Sequence, residues 1–200
     1  MTARVRRIAV TGGPGAGKTT LWREIIAEHG ERIAAVPEVA TLMLRHVFPP
    51  VQSELERRAV QRSIFRVQHD LEAVHELRLL PGQVLVCDRG TPDGGGYWPE
   101  GHEAFSAAMQ TTCEAELARY EAVVFLQTAA AGDLAITDNN DTRTEDRAAA
   151  VAIDQRLHAL WQRHPRFHHV ACEPAFEDKL ERALSVIRAL LVMGQNDASG

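Results

Sequence analysis

Lysine is almost missing from this chain: Lys18 and Lys179 are the only two among 22 basic residues. Arginine therefore carries nearly all positive charge, and many arginines reflect composition alone. Cysteine is scarce as well. Cys87, Cys113 and Cys172 are odd in number and lack framework spacing, which excludes a disulfide-built fold and points to a reducing, cytoplasmic setting. No apolar run approaches the roughly 20 residues of a membrane helix. The amino-terminal Met-Thr-Ala-Arg-Val-Arg-Arg runs straight into an apolar pattern, so no signal peptide is expected. A net charge of −5 argues against nucleic acid as the main partner. No Ser-His-Asp pattern stands out, and no internal repeat or linker is visible. What remains, at 45% hydrophobic and 24% charged over 200 residues, is the profile of one globular domain spanning 1–200.

One stretch organises this domain: Gly12, Gly13, Pro14, Gly15, Ala16, Gly17, Lys18, Thr19 and Thr20. It follows the apolar run Ile8-Ala9-Val10 and precedes a helical pattern carrying Leu21, Trp22, Ile25 and Ile26. Strand, glycine loop and helix together make the G-x-x-x-x-G-K-[ST] match a phosphate-binding loop. Its successive N–H groups converge on phosphate oxygens, aided by the positive end of the helix. Lys18 reaches the outer phosphates and the Thr19 hydroxyl ligates Mg²⁺. The implied ligand is a nucleoside triphosphate. No N-K-x-D segment follows the fourth strand, so ATP and GTP both stay open.

The remaining pattern alternates strands with helices. Strands are expected at Arg7–Thr11, Ile33–Val36, Val84–Cys87, Ala122–Gln127 and Phe167–Ala171. Helices are expected from Gly17 to about Glu28, with Gly30 as a left-handed cap, and at about Val39–His46. A long helix begins after the cap Ser53 and runs to about Leu80, with Leu55, Val60, Ile64, Val67, Leu71 and Val74 as its apolar face. Segment 91–101, with three successive glycines, reads as irregular, and one helix is expected over about 103–119. Thr142 and Glu145 form a capping box for the next helix, and the tail at about 194–200 reads as frayed. The fold class is α/β: a three-layer α/β/α arrangement around a five-stranded parallel sheet. Ligands in such sheets bind at the carboxyl ends of the strands, where Thr11, Glu38, Asp88 and Gln127 fall.

Asp88 ends a buried apolar run, a costly place for a carboxylate unless a cation meets it; Mg²⁺ shared with Thr19 would be that cation. A surface Asp capping the next turn is the plainer alternative. Glu38, after Pro37, overlooks an acceptor pocket, where a carboxylate can hold or deprotonate a hydroxyl. Gln68, Arg89 and Asp93 are further substrate-side candidates. Arg143 and Arg147, at i and i+4, present two guanidinium groups from one helix face, suited to phosphate on a lid over about 128–147. Pairing with Asp141, Glu145 or Asp146 is the alternative. Arg58, Arg62, Arg66 and His69 line a basic stripe on the long helix, read as a solvated face or a surface for an acidic partner. His164, His168, His169 and Cys172 lack the spacing of a closed zinc site.

Gly-Gly-Pro-Gly-Ala-Gly-Lys-Thr-Thr (12–20), Pro37-Glu38, Phe65-x-x-Gln68, Asp88-Arg89-Gly90-x-x-Asp93, Thr128-Ala129-Ala130, Asn139-Asn140-x-x-Arg143-x-Glu145 and Trp161-x-x-His164-Pro165 together resemble a family of small kinase-like P-loop NTPases, among them AAA-labelled ATPases. That family includes the kinase half of the bacterial nicotinamide-nucleotide regulator and the nucleotide-binding part of the photoreceptor-channel translocation-defect proteins. The resemblance implies a kinase-type strand order, with the Asp88 strand beside the loop strand, a lid after strand four, Mg²⁺, and ATP or GTP. It names no acceptor. Three functions follow from the residues: phosphotransfer to a small-molecule acceptor, a nucleotide-dependent switch acting on a protein or anionic-lipid partner, and plain NTP hydrolysis.

Overall fold

The computed structural model describes residues 6–132 and 147–196. Strands β1 (Arg7–Thr11), β3 (Val84–Asp88) and β4 (Ala122–Leu126) are buried along their whole length. A strand apolar on both faces needs cover on both sides, as in a parallel sheet between helices. The five strands are all parallel, in the order β2-β3-β1-β4-β5. The shorter β2 (Ile33–Val36) and β5 (Phe167–Val170) form the edges. Val10 stands beside both Asp88 and Val124, so β3 ends at the level of Val10 while β4 continues to Leu126. That brings Asp88 next to the start of the glycine loop.

Alternation along each strand divides the core in two. Ile8, Val10, Val84, Val86 and Val124 pack with residues of α1 (Lys18–His29) and α8 (Phe176–Asn196). On the other face Ala9, Leu85, Cys87, Val123 and Phe125 pack with α6 (Cys113–Leu117) and α7 (Arg147–Trp161). Each fully buried aliphatic side chain contributes about 1.5–3 kcal/mol. Among the described residues, no helix is long and apolar enough to cross a membrane.

Several local expectations are corrected. Gly30 is right-handed, with φ −52°; the chain leaves α1 through a turn in which Arg32 N–H donates to the His29 carbonyl. Helix α2 (Val39–His46) has the expected bounds, and Ser53 caps α3 (Glu54–Glu76) in a capping box with Glu56. However, α3 stops short of Leu80, and it turns only part of its expected apolar face inward, Val60 and Leu71. Leu55, Val67 and Val74 are exposed, whereas Val60, Gln68 and Glu72 are buried. The helix also leans on a polar network, through Gln68 and Glu72.

Segment 91–101 is ordered rather than irregular: a 3-10 turn (Thr91–Asp93) runs into α4 (Gly94–Tyr97). The helix expected over 103–119 is two, α5 (Gly101–Ala108) and α6, parted at Gln110 with φ 61°. Thr112 caps α6 by accepting from Ala115 N–H at 3.1 Å. The Thr142–Glu145 capping box, Arg143, lid residues 133–146 and tail residues 197–200 lie outside the described residues.

The glycines of α4 are packing surfaces. A Cβ on Gly95 would lie 2.7 Å from His102 Cβ and 2.8 Å from its Cα, and backbone cannot move aside cheaply. Gly95→Ala in a helix would ordinarily gain about 1 kcal/mol, against about 1–3 kcal/mol for overpacking. Gly95→Ala is therefore expected to destabilise the protein in chemical denaturation; an unchanged or raised midpoint would contradict this packing.

Candidate functional site

The loop after β1 takes conformations its glycines permit. Gly12 has φ 142°, and a Cβ there would lie 2.0 Å from the Leu126 carbonyl oxygen. No other residue fits between β1 and β4 at that point. Gly17, at φ 85°, caps α1, and the ring of Phe176 from α8 lies against it. Lys18 is buried and folds back over the loop, its Nζ donating to Gly12 O at 2.9 Å and Gly13 O at 2.7 Å. Thr19 is exposed at the first turn of α1.

The carboxyl end of β3 forms the opposite wall. Asp88 is buried there beside Val10. Arg89 follows with φ 73°, an uncommon left-handed conformation for a non-glycine residue. The residue is 5% exposed, with its guanidinium Nε donating to Glu38 Oε1 and Nη1 to Asp93 Oδ2 at 3.0 Å and Gly12 O at 3.3 Å. Burial works against this charge, but the Tyr97, Glu38 and Asp93 groups around it prevail and raise its pKa further. The Arg89 carbonyl accepts from Gln68 Nε2 at 3.4 Å.

Glu38, Arg89 and the loop are thus joined through hydrogen bonds. The second Glu38 oxygen accepts from Thr41 at 2.6 Å. Asp93 is more deeply engaged than a loop carboxylate: Thr11 Oγ1 and Trp161 Nε1 donate to it at 2.6 and 2.7 Å, in addition to Arg89. Gln68 is buried behind Arg89 and also donates to Glu72 at 3.0 Å. It reaches the cleft only through the backbone it supports. Of the expected arginine pair, Arg147 starts α7 and donates to Ala130 O at 3.1 and 3.3 Å, at the turn after β4.

In the basic stripe, Arg58 pairs with Glu54 and Glu100 and lies over the Trp98 ring. His69 meets Glu116 at 2.9 Å, while Arg62 and Arg66 are exposed. His164 is taken up structurally, bonding the Tyr120 carbonyl and accepting from Arg166 N–H, both at 3.0 Å. Another group, His102, Glu103 and Cys113, has ligand atoms within 4.8 Å of one another. Arg163 holds Glu103 at 2.7 Å and burial raises the Cys113 thiol pKa, both unfavourable to a cation.

Two residues missed by the sequence reading brace the loop. Asp154 on α7 is buried, and its Oδ1 accepts from Gly13 N–H at 2.9 Å and Thr128 N–H at 3.0 Å. Lys179 on α8 is also buried and donates to Ala16 O at 2.8 Å and Gln127 O at 2.5 Å. Both lysines of the chain therefore touch the loop. Their signal in the sequence was a charge set in an apolar helical stripe: Asp154 before Leu157 and Trp161, Lys179 before Leu180 and Ala183.

A family model described as AAA domain matches residues 7–179. The chain belongs to the AAA domain family. It is a P-loop nucleotide-binding protein. No curated protein matches the chain. The hard oxygen donors Thr19 and Asp88 suit Mg²⁺, the usual companion of nucleotide in such domains.

Burial raises the Asp154 pKa from its ordinary 3.8, only partly offset by Gly13, Thr128, Lys18 and Lys179. A raised carboxyl pKa means that the folded state binds more protons, so Asp154 costs stability as pH rises above 3.8 through its folded pKa. Asp154→Asn is therefore expected to gain stability relative to the parent across that window, as measured by denaturation at successive pH values. A constant difference would show that Asp154 titrates normally.

Proposed function

We propose that this AAA domain, taken as one unit, is a Mg²⁺-dependent phosphotransferase that moves the γ-phosphoryl group of ATP or GTP to a hydroxyl of a small-molecule acceptor. The observation that carries this reading is the Arg89 guanidinium, which joins the Glu38 carboxylate to the Gly12 carbonyl of the phosphate loop. A hydrolase or switch has to position only water at the γ-phosphate. A carboxylate tied to that loop through a buried arginine gives the site a second side.

The roles follow from chemistry. Lys18 exchanges its loop carbonyls for β- and γ-phosphate oxygens, and the loop amides take the rest of the charge. Bound Mg²⁺, held by Thr19 and Asp88, would neutralise phosphate charge. Glu38 accepts the hydrogen bond of the acceptor hydroxyl. The hydroxyl oxygen forms the new bond to phosphorus, the bond to the bridging oxygen breaks, and the nucleoside diphosphate leaves. The hydroxyl proton passes to Glu38. Arg89 stabilises charge on the moving group, with Arg143 and Arg147 closing from the lid. Engagement of Arg58 and His69 within the chain leaves a smaller basic surface for a protein or lipid partner, which favours transferase over switch.

Lys18→Ala is expected to weaken triphosphate binding about 10- to 100-fold with the denaturation midpoint little changed. Asp88→Asn should spare binding and reduce Mg²⁺-dependent turnover about 100-fold or more. Diphosphate release, measured across nucleosides, ribosides and small alcohols, should rise above the water background for one acceptor class. Background rates with every hydroxyl compound would overturn the transferase reading.

A further inference from the structure

A backbone loop that receives phosphate must keep some amides facing the ligand and dispose of the others. Gly13 N–H is already donated to Asp154 Oδ1 at 2.9 Å, and Pro14 has no N–H to give. Neither position therefore has a backbone N–H to spare for phosphate. The same carboxylate oxygen accepts from Thr128 N–H at 3.0 Å, and the Thr128 hydroxyl donates to the Pro14 carbonyl. Ala129 N–H completes the seam with Gly15 O at 3.4 Å. The loop and the turn after β4 are thus stitched edge to edge, with Asp154 at the junction.

Close approach makes this possible. A Cβ on Gly13 would lie 2.6 Å from Asp154 Oδ1, so the second glycine of the loop leaves room for the carboxylate. The ionised form is a costly way to supply an acceptor in a buried place. It also makes hydrogen bonds roughly twice as strong as a neutral group does. Lys18 and Lys179 lie near enough to favour its charge, and Lys179 itself anchors the loop at Ala16.

We propose that Asp154 is a positioning residue for the triphosphate: its Oδ1 holds Gly13 and Thr128 together, so that the phosphate loop and the 128–132 turn respond to nucleotide as one piece. The inference rests on the loop binding a nucleoside triphosphate and adds the residue through which that binding reaches the end of β4. Asp154 touches no phosphate; it acts through the Gly13 amide.

The test compares Asp154→Leu, which keeps bulk without an acceptor, with Asp154→Asn, which keeps the acceptor oxygen. Affinity is read with fluorescent N-methylanthraniloyl ATP and GTP in the presence of Mg²⁺, and folding by the thermal midpoint. The Leu variant is expected to bind about tenfold more weakly or worse, and the Asn variant to recover to within about threefold of the parent. Hydrogen exchange supplies a readout that mere stability would not move. In the parent, nucleotide slows exchange in peptides covering 12–20 and 126–132 together; in Asp154→Leu it slows only the first. Should the Leu variant fail to fold, Asp154→Ala carries the same expectations. A folded acceptorless variant that binds within twofold of the parent, or still protects 126–132, overturns the inference alone. A parent that binds neither nucleotide overturns the triphosphate reading and this inference with it.

Discussion

A phosphate loop is a stretch of buried backbone whose polar groups must be satisfied whether or not a ligand is bound. That requirement shapes the surroundings of residues 12–20. Lys18 covers two loop carbonyls, Lys179 takes the Ala16 carbonyl, Arg89 reaches Gly12, Thr128 reaches Pro14, and Asp154 accepts from Gly13. These partners come from α1, α8, the end of β3, the end of β4 and α7. The loop is the place where every layer of the fold meets.

Such bracing requires buried charge, and buried charge demands partners of its own. Behind Arg89 the demand propagates. Gln68 supports its backbone and bonds Glu72, which is fully buried and accepts from Tyr120 and Arg119, both at 2.7 Å. Tyr120 OH also accepts from Thr91 N–H at 2.7 Å, and the Thr91 hydroxyl donates to Glu116 at 2.6 Å. The network runs from the cleft to α3 and α6 without leaving the protein interior. Removing one member would strand the others, a penalty of about 1–3 kcal/mol per group. The wall of the cleft at the end of β3 is consequently cross-linked, with Glu38 and Asp93 held by the same guanidinium.

The strands and the loop were legible because their signals are local. Continuous apolar runs mark strands covered on both faces, and the spacing of Gly12, Gly17, Lys18 and Thr19 marks the loop. The pairing of Asp88 with the loop strand followed from the resemblance to kinase-type sheets. Contacts across long separations were not legible: Gly13 and Asp154 are 141 residues apart, and nothing near either names the other. The face of α3 was only partly legible. Val60 and Leu71 turn inward as their periodicity implies, but the helix also docks through Gln68 and Glu72 onto Arg89, Arg119 and Tyr120, which periodicity does not record. Segment 91–101 looked irregular because glycine usually marks flexibility; here Gly95 and Gly96 make room for His102 and Leu157.

The surrounding layers hold the loop backbone in place before any nucleotide arrives, and only Lys18 has to change partners. Backbone amide exchange of the nucleotide-free protein, followed by NMR, tests this claim most directly. A braced loop predicts Gly13 and Thr128 amides exchanging about 100-fold or more slowly than in an unstructured chain. Exchange at the unstructured rate would contradict it and make the loop a segment ordered by its ligand.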